Sequence, residues 1–271
     1  MRGAWGVGAA VALGSATLVG STVVVPRRLR VRDVPLTLPG WQAHLDGLRV
    51  AVVGDLHAGC PWVDVARLHA VVERIGATRP DLVLLLGDHL ADVIGGRHLE
   101  IDEVAGALAG LTRFAPVVGV LGNHDWYAGG HRVRRALEAV GLPVLEESAL
   151  SVLEGRLWIA GVGDLWERTP SVSAALSGVP ADAPVILLTH NPDVVVDVPA
   201  SVPLVLAGHT HGGQIRLLGR GVHKLSERSA NRWSQGWYPA DRLYVTPGVG
   251  SSTVPVRTVV PEVPVLVLAS A

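Results

Sequence analysis

The chain of 271 residues contains a single cysteine, Cys60. This excludes an intramolecular disulfide framework and leaves thiolates out of any metal site. Basic and acidic side chains nearly cancel, 23 against 24, for a formal net charge of −1. There is therefore no global basic field to draw in nucleic acid. Internal repeats and low-complexity linkers are also missing. The length suits one large domain with an ample core.

What is present is a series of short apolar runs that end in polar residues. Leu48 to Val53 ends in Gly54-Asp55-Leu56-His57. Asp81 to Leu86 ends in Gly87-Asp88, and Pro116 to Leu121 in Gly122-Asn123-His124-Asp125. Pro184 to Thr189 ends in His190-Asn191, and Val202 to Ala207 in Gly208-His209-Thr210-His211. Each run has strand length and most are apolar on both faces, the pattern of strands covered on both sides. The polar cluster thus falls at the carboxyl ends of buried strands, where open α/β sheets bind ligands. Helical spacing recurs between the early runs, over 64–75, 99–111 and 131–140, which favours a largely parallel first sheet. Strand-like segments crowd the second half: 150–153, 157–162, 243–245 and 263–268. The mix predicts two sheets packed face to face with helices outside.

The donor types define the chemistry. Carboxylates, imidazoles and amide oxygens suit borderline to hard divalent cations, with Mn, Fe, Zn, Co and Mg all admissible. Asp88 stands alone at a strand end and is the natural carboxylate to bridge two cations. Asp55 and His57, two apart, can face one site, and His209 and His211 can each reach a different ion. Asn123 offers a neutral oxygen and His190 completes a second site. A two-metal site points to hydrolysis of a phosphate ester. His124 can donate a proton to a leaving group or a hydrogen bond to a phosphoryl oxygen. Asp125 can orient and charge that imidazole. His89 follows Asp88 directly and either faces the substrate side or points away. The remaining histidines receive no role.

These five blocks, in order, resemble the calcineurin-like metallophosphoesterase superfamily, over about residues 48 to 270. The resemblance implies a four-layer α/β/β/α sandwich of two mixed sheets. It implies that Asp55, His57, Asp88 and His211 bind one divalent ion. Asp88, Asn123, His190 and His209 bind the other, and His124 assists catalysis. Gly212-Gly213-Gln214-Ile215-Arg216, Pro247-Gly248-Val249-Gly250 and Pro255-Val256-Arg257 resemble the bacterial membrane-anchored branch. Its members are phosphodiesterase-like or UDP-2,3-diacylglucosamine pyrophosphatase-like. The expected activity is hydrolysis of a phosphoester or phosphodiester at a membrane. The alternatives are a pyrophosphatase acting on a nucleotide-linked lipid precursor and a non-catalytic metal-binding membrane protein.

Ala4 to Val25 carries no charge and is long enough to cross a bilayer core of roughly 30 Å. It is expected to be a retained single-pass anchor, since no Ala-x-Ala-like cleavage site follows it. Residues 1–32 are then anchor and basic juxtamembrane segment, and 45–271 the catalytic domain. Arg27, Arg28, Arg30 and Arg32 place that domain on the cytoplasmic side by the positive-inside rule, with export left open. They also suit anionic headgroups. Residues 217–242 read as a loop rimming the site. Its Arg220, Lys224, Arg228, Arg232, Trp233, Trp237 and Tyr238 fit a phosphate carrying an apolar or ring-bearing group.

Overall fold

A computed structural model describes residues 20–217, 220–221 and 232–271. Its elements alternate through the first half: β1 (Arg30–Leu38), β2 (Arg49–Val53), α1 (Val65–Gly76), β3 (Leu82–Leu86), α2 (Ile101–Ala109), β4 (Val117–Val120), α3 (Asn123–Tyr127) and α4 (Gly130–Ala139). The second half contains β5 (Ser148–Val152), β6 (Leu157–Gly161), α5 (Val172–Leu176), β7 (Val185–Leu188), β8 (Leu204–Ala207), β9 (Arg216–Leu217), β10 (Arg220–Gly221), β11 (Gly236–Tyr238), β12 (Leu243–Val245) and β13 (Glu262–Ser270).

Two mixed sheets form. One has the order β1-β13-β2-β3-β4 and the other β11-β12-β8-β7-β6-β5, while β9 and β10 make a small ribbon. Strand alternation builds the layers. Val50, Val52, Leu84 and Val118 face Ile159, Ile186 and Leu206 in the core between the sheets. Ala51, Val53, Val83 and Leu85 point the other way, under α1, α2 and α4. On the far side, Leu187, Val205 and Val245 pack beneath α5 and the turn 192–197. The result is the expected four-layer sandwich.

The helices follow from the apolar spacing. Leu68, Val71, Val72 and Ile75 form the buried stripe of α1. Its N-terminus is capped by Asp64, whose carboxylate accepts the Arg67 N–H at 2.8 Å. Such a cap contributes about 1 kcal/mol. The helix read over 99–111 is shorter, ending at Ala109 and tightening into a 3₁₀ turn.

Two expectations need correction, and a third falls largely outside the described residues. The catalytic unit does not start at 45, because β1 lies parallel to the last strand over its full length, Arg30 opposite Glu262 and Leu38 opposite Ser270. Arg30 and Arg32, read as juxtamembrane charges, belong to this strand. Most of the expected anchor lies outside the described residues. The part described is a single π-turn, Gly20–Val24, running into Val25–Arg27. Among the described residues no helix is long and apolar enough to cross a membrane. Lastly, Trp233 is no rim residue. It is 2% exposed in the outer core and donates its indole N–H to Asp241 at 2.8 Å. Trp237 packs toward the inter-sheet core. Lys224 and Arg228 lie outside the described residues.

Candidate metal centre

The parallel strands of both sheets deliver their carboxyl ends to one edge, where the polar blocks meet. Backbone bonds lace the loops together. The Asp55 N–H donates to Gly87 at 3.0 Å, His57 to Asp88 at 2.9 Å, and Gly208 to His190 at 3.0 Å. Asp55, His57, Asp88, His209 and His211 all have positive φ, between 43° and 70°. Left-handed backbone at a non-glycine residue stores roughly 1–3 kcal/mol, and it persists only where the surroundings enforce it. Five such residues in one cluster show a scaffold aiming side chains at a point.

Those side chains converge. Asp55, His57, Asp88 and His211 place one ligand atom each within 4.8 Å of one another, and all are buried. The His57 and His211 Nε2 atoms are 3.1 Å apart, and His211 Nε2 is 3.5 Å from Asp55 Oδ1. A second set adjoins it. His209 Nδ1 lies 3.2 Å from both Asn123 Oδ1 and His190 Nε2. Asp88 Oδ2 joins the two sets, 3.4 Å from His57 Nε2 and 3.3 Å from His190 Nε2. Neighbouring donors bound to one ion at roughly 2.1 Å sit about 3.0–3.5 Å apart, and opposite ones about 4.2 Å. The donor spacing therefore fits two cations sharing Asp88.

Unsatisfied atoms support that fit. Asp55 Oδ2 is buried with no hydrogen-bond partner. His190 donates its Nδ1 proton to the Leu86 carbonyl at 2.7 Å, which turns Nε2 toward Asp88. A backbone acceptor of this kind fixes tautomer and orientation in metal-binding histidines. Gly122 must lack a side chain, because a Cβ there would come within 2.3 Å of Asp88 Oδ1 and 2.7 Å of His190.

The electrostatics without ions divide the histidines. Burial drives His57 down to about 3 and His211 well below its usual value, so both stand neutral. Burial acts on His190 in the same direction, but the charges of Asp88, Asp55 and Asp164 outweigh it and raise His190 well above the ordinary range. Asp88 in turn is held well below the usual carboxylate range, burial being overcome by His190 and His57. Burial pushes Asp55 up.

The structure reassigns Asp125. It does not orient His124; its carboxylate binds His89 instead. Asp125 accepts the His89 N–H at 2.8 Å, pairs with its Nδ1 at 2.9 Å and accepts the Gly122 N–H at 3.0 Å. Asp125 therefore locks the Gly-Asp-His turn against the Gly-Asn-His turn. His124 is half-buried beside His57, ring centroids 4.8 Å apart. Its N–H donates to Asp88 Oδ1 at 2.9 Å and its Nε2 lies 3.1 Å from Ser252 Oγ.

Two other contributors had no site role in the sequence reading. Arg257 is fully buried. Its guanidinium donates to the carbonyls of Pro247, Gly248, Gly250 and Val259. That loop packs directly on the first ligands, since a Cβ at Gly248 would lie 2.5 Å from Asp55 and one at Gly250 2.8 Å from His57. Asp164 is also buried and accepts the Trp166 and Glu167 N–H groups. The turn it caps sets the exposed Trp166 ring edge-on to His209, at 4.4 Å. A signal for Asp164 was there: Gly163-Asp164 ends the 157–162 run just as Gly54-Asp55 and Gly87-Asp88 end theirs.

Comparison with known proteins agrees with the site. The profile of the calcineurin-like phosphoesterase family matches residues 48–213. Phosphodiesterase YaeI of Escherichia coli K12 is 32% identical over 218 residues, covering 75% of each chain. A zebrafish (Danio rerio) transmembrane protein with a metallophosphoesterase domain is 29% identical over 257 residues, 84% of this chain. This chain spans only 54% of that relative's length. The UDP-2,3-diacylglucosamine pyrophosphatase LpxG of Chlamydia muridarum is 25% identical over 251 residues, 74% of each chain. Among solved structures, TT1561 of Thermus thermophilus is similar at a TM-score of 0.45 and 16% identity, over 59% of this chain and 80% of that one. The chain belongs to the calcineurin-like phosphoesterase family.

Proposed function

We propose that this chain hydrolyses a phosphodiester or pyrophosphate bond of a lipid-like substrate at a membrane surface, using two divalent ions. The observation that carries the reading is Asp88 Oδ2, set between His57 and His190 at 3.4 and 3.3 Å. Asp55, His57, Asp88 and His211 would hold one ion, and Asp88, Asn123, His190 and His209 the other. When bound, the pair supplies an acidified water and positive charge against the phosphoryl oxygens.

The chain's own residues do the rest. Asp88 Oδ1 fixes the His124 backbone, so the ring stands at the rim of the cluster with Ser252 on its Nε2. From there His124 can protonate the departing oxygen or bind a phosphoryl oxygen. Asp125 is a positioning residue that acts through His89 and the Gly122 turn. Two exposed rings flank the centre, Trp166 against His209 and Tyr127 at 5.5 Å from His124. They give the groups attached to phosphorus apolar surfaces to rest on.

The membrane part of the reading rests on the uncharged stretch 4–25 and the arginines that follow it. It keeps the domain on the cytoplasmic side and places the catalytic unit from Arg30 to the last strand. The relatives named phosphodiesterase and UDP-2,3-diacylglucosamine pyrophosphatase support a diester or pyrophosphate. The test is a panel assay of metal-defined protein: a chromogenic phosphodiester, its monoester, and UDP-2,3-diacylglucosamine in detergent micelles. The reading expects diester or pyrophosphate turnover that EDTA abolishes. Metal-bound protein with no turnover on any member would favour a binding protein instead.

A further inference from the structure

We propose that a cavity between β1 and the segment following His211 is a second phosphate-binding site, separate from the metal centre and built from Arg30, Arg32 and Arg216. It goes beyond the metal-centre reading and does not depend on it. The cavity measures about 310 Å³ and is also lined by Gln235, Tyr244, Thr258 and Glu262. None of the seven proposed metal ligands lines it.

Its chemistry is that of an anion site. Three arginines and one glutamate line it, a local excess of two positive charges. Arg30 and Arg32 are two apart on β1 and so project from the same face of the strand. Glu262, 6% exposed, fixes them both. It takes Arg32 through two bonds, 3.1 and 3.2 Å, and lies 3.5 Å from Arg30 Nη1. Burial, with the Glu262 carboxylate beside it, keeps the Tyr244 hydroxyl protonated and able to donate. Glu262 takes the Nε and Nη2 of Arg32, which leaves Arg30 and Arg216 to offer their guanidinium forks to the oxygens of a phosphate.

Arg216 supplies the independent observation. Its Nε is shut off from solvent and has no acceptor among the described residues. A buried charged donor left without an acceptor is costly. The residue nevertheless lines the cavity, so an anion bound there would give its guanidinium the counter-charge it lacks. The backbone there is braced for the purpose, the Arg216 N–H donating to Thr258 Oγ1 at 2.7 Å.

The location gives the site a use. Pro247 lines the cavity, and the next residue, Gly248, packs on Asp55. Glu262 ties the two together, its N–H donating to the Gly248 carbonyl at 3.0 Å. Arg30 also follows directly on Arg27-Arg28-Leu29, where the chain arrives from the uncharged stretch. A phosphate bound here would thus sit against the loop that seats a metal ligand, on a strand that follows the uncharged stretch in sequence. The phosphate could belong to a lipid headgroup or be free in solution.

The test is calorimetric binding to the full-length, metal-loaded protein in neutral detergent, with inorganic phosphate as the first probe. Two phosphates per chain are expected, one at the metals and one here. Arg216→Gln and, separately, the exposed Arg30→Gln should weaken the second by roughly ten- to a hundredfold, the worth of one charge-assisted hydrogen bond. Hydrolysis of a small soluble diester should keep its kcat and KM in both variants. Arg216→Lys, which keeps the charge, should fall between. Dihexanoyl phosphatidylglycerol is the second probe. Tighter, arginine-dependent binding than phosphate assigns the site to headgroups, and equal or weaker binding assigns it to free phosphate. One phosphate in wild type that both variants lose would keep this site and show that inorganic phosphate is not held at the metals. Equal phosphate stoichiometry and affinity in wild type and both variants would overturn the proposal.

Discussion

Replacing Gly122 with alanine tests how tightly the backbone is fitted around the metal cluster. The new Cβ would fall 2.3 Å from Asp88 Oδ1 and 2.7 Å from the His190 ring. Ordinary contacts need about 3.5 Å, so the carboxylate must retreat by roughly 1 Å. It cannot retreat freely. Asp88 Oδ1 holds the His124 N–H at 2.9 Å, and His190 is tethered to Leu86 at 2.7 Å. Overpacking of this sort costs about 1–3 kcal/mol, which is roughly a five- to 150-fold loss of affinity if it falls on ion binding. The natural control is the same substitution at Gly106 in α2, where a Cβ meets nothing within 4 Å. There alanine should stabilise by about 0.5–1 kcal/mol, because glycine is the poorer helix former. The assay is chelator competition for the metals, with kcat/KM and thermal unfolding on the same samples. Gly122→Ala should fold, bind metal weakly and lose activity, while Gly106→Ala should gain stability and keep both. A Gly122→Ala protein with wild-type metal affinity and turnover would refute the reasoning.

Three further outcomes are expected. His124→Ala should keep its metals and lose at least about tenfold in turnover on a substrate with a poor leaving group, given acid–base contributions of roughly 10²–10⁴; full activity there would remove its assigned role. Metal loading should release protons near neutral pH, because His190 is raised well above its usual range in the ion-free protein and must lose its proton to bind. Affinity should therefore rise with pH until that raised value is passed. Calorimetry in buffers of different ionisation heat reads this directly, and no release at pH 7 would contradict it. Arg257→Met strips the donors from four loop carbonyls. It should cost at least about 3 kcal/mol of stability, two charge-assisted hydrogen bonds at roughly 1.5 each, with a parallel fall in metal affinity. Unchanged denaturant unfolding would show the clamp to be idle.

The sandwich and the cluster were legible because both rest on simple periodicities. Apolar runs such as Leu82–Leu86, short and bounded by turn residues, fit interior strands, and polar residues straight after parallel strands gather at one sheet edge. What escaped depends on long-range partners. Strand β1 reads as a charged flank because Arg30, Arg32 and Asp33 interrupt it; it is an edge strand whose pairing with β13 is set by the other end of the chain. Asp125 is adjacent to His124 in sequence, but both lie on α3, where consecutive side chains diverge. Its true partner, His89, comes from another strand end. Arg257 stands in a segment that the sequence only links to a branch of the family, and the fold shows four carbonyls closed around it. Trp233 likewise sits in a stretch rich in charge, yet its ring completes the outer core.

The most direct measurement is the metal content of full-length protein, purified without chelator, reloaded and desalted, for wild type beside Asp88→Asn. A shared carboxylate predicts two equivalents per chain in wild type and loss of both metal and activity in the variant, since neither ion keeps its full ligand set. A wild type that saturates at one equivalent, with Asp88→Asn still holding that one, would contradict the bridged pair.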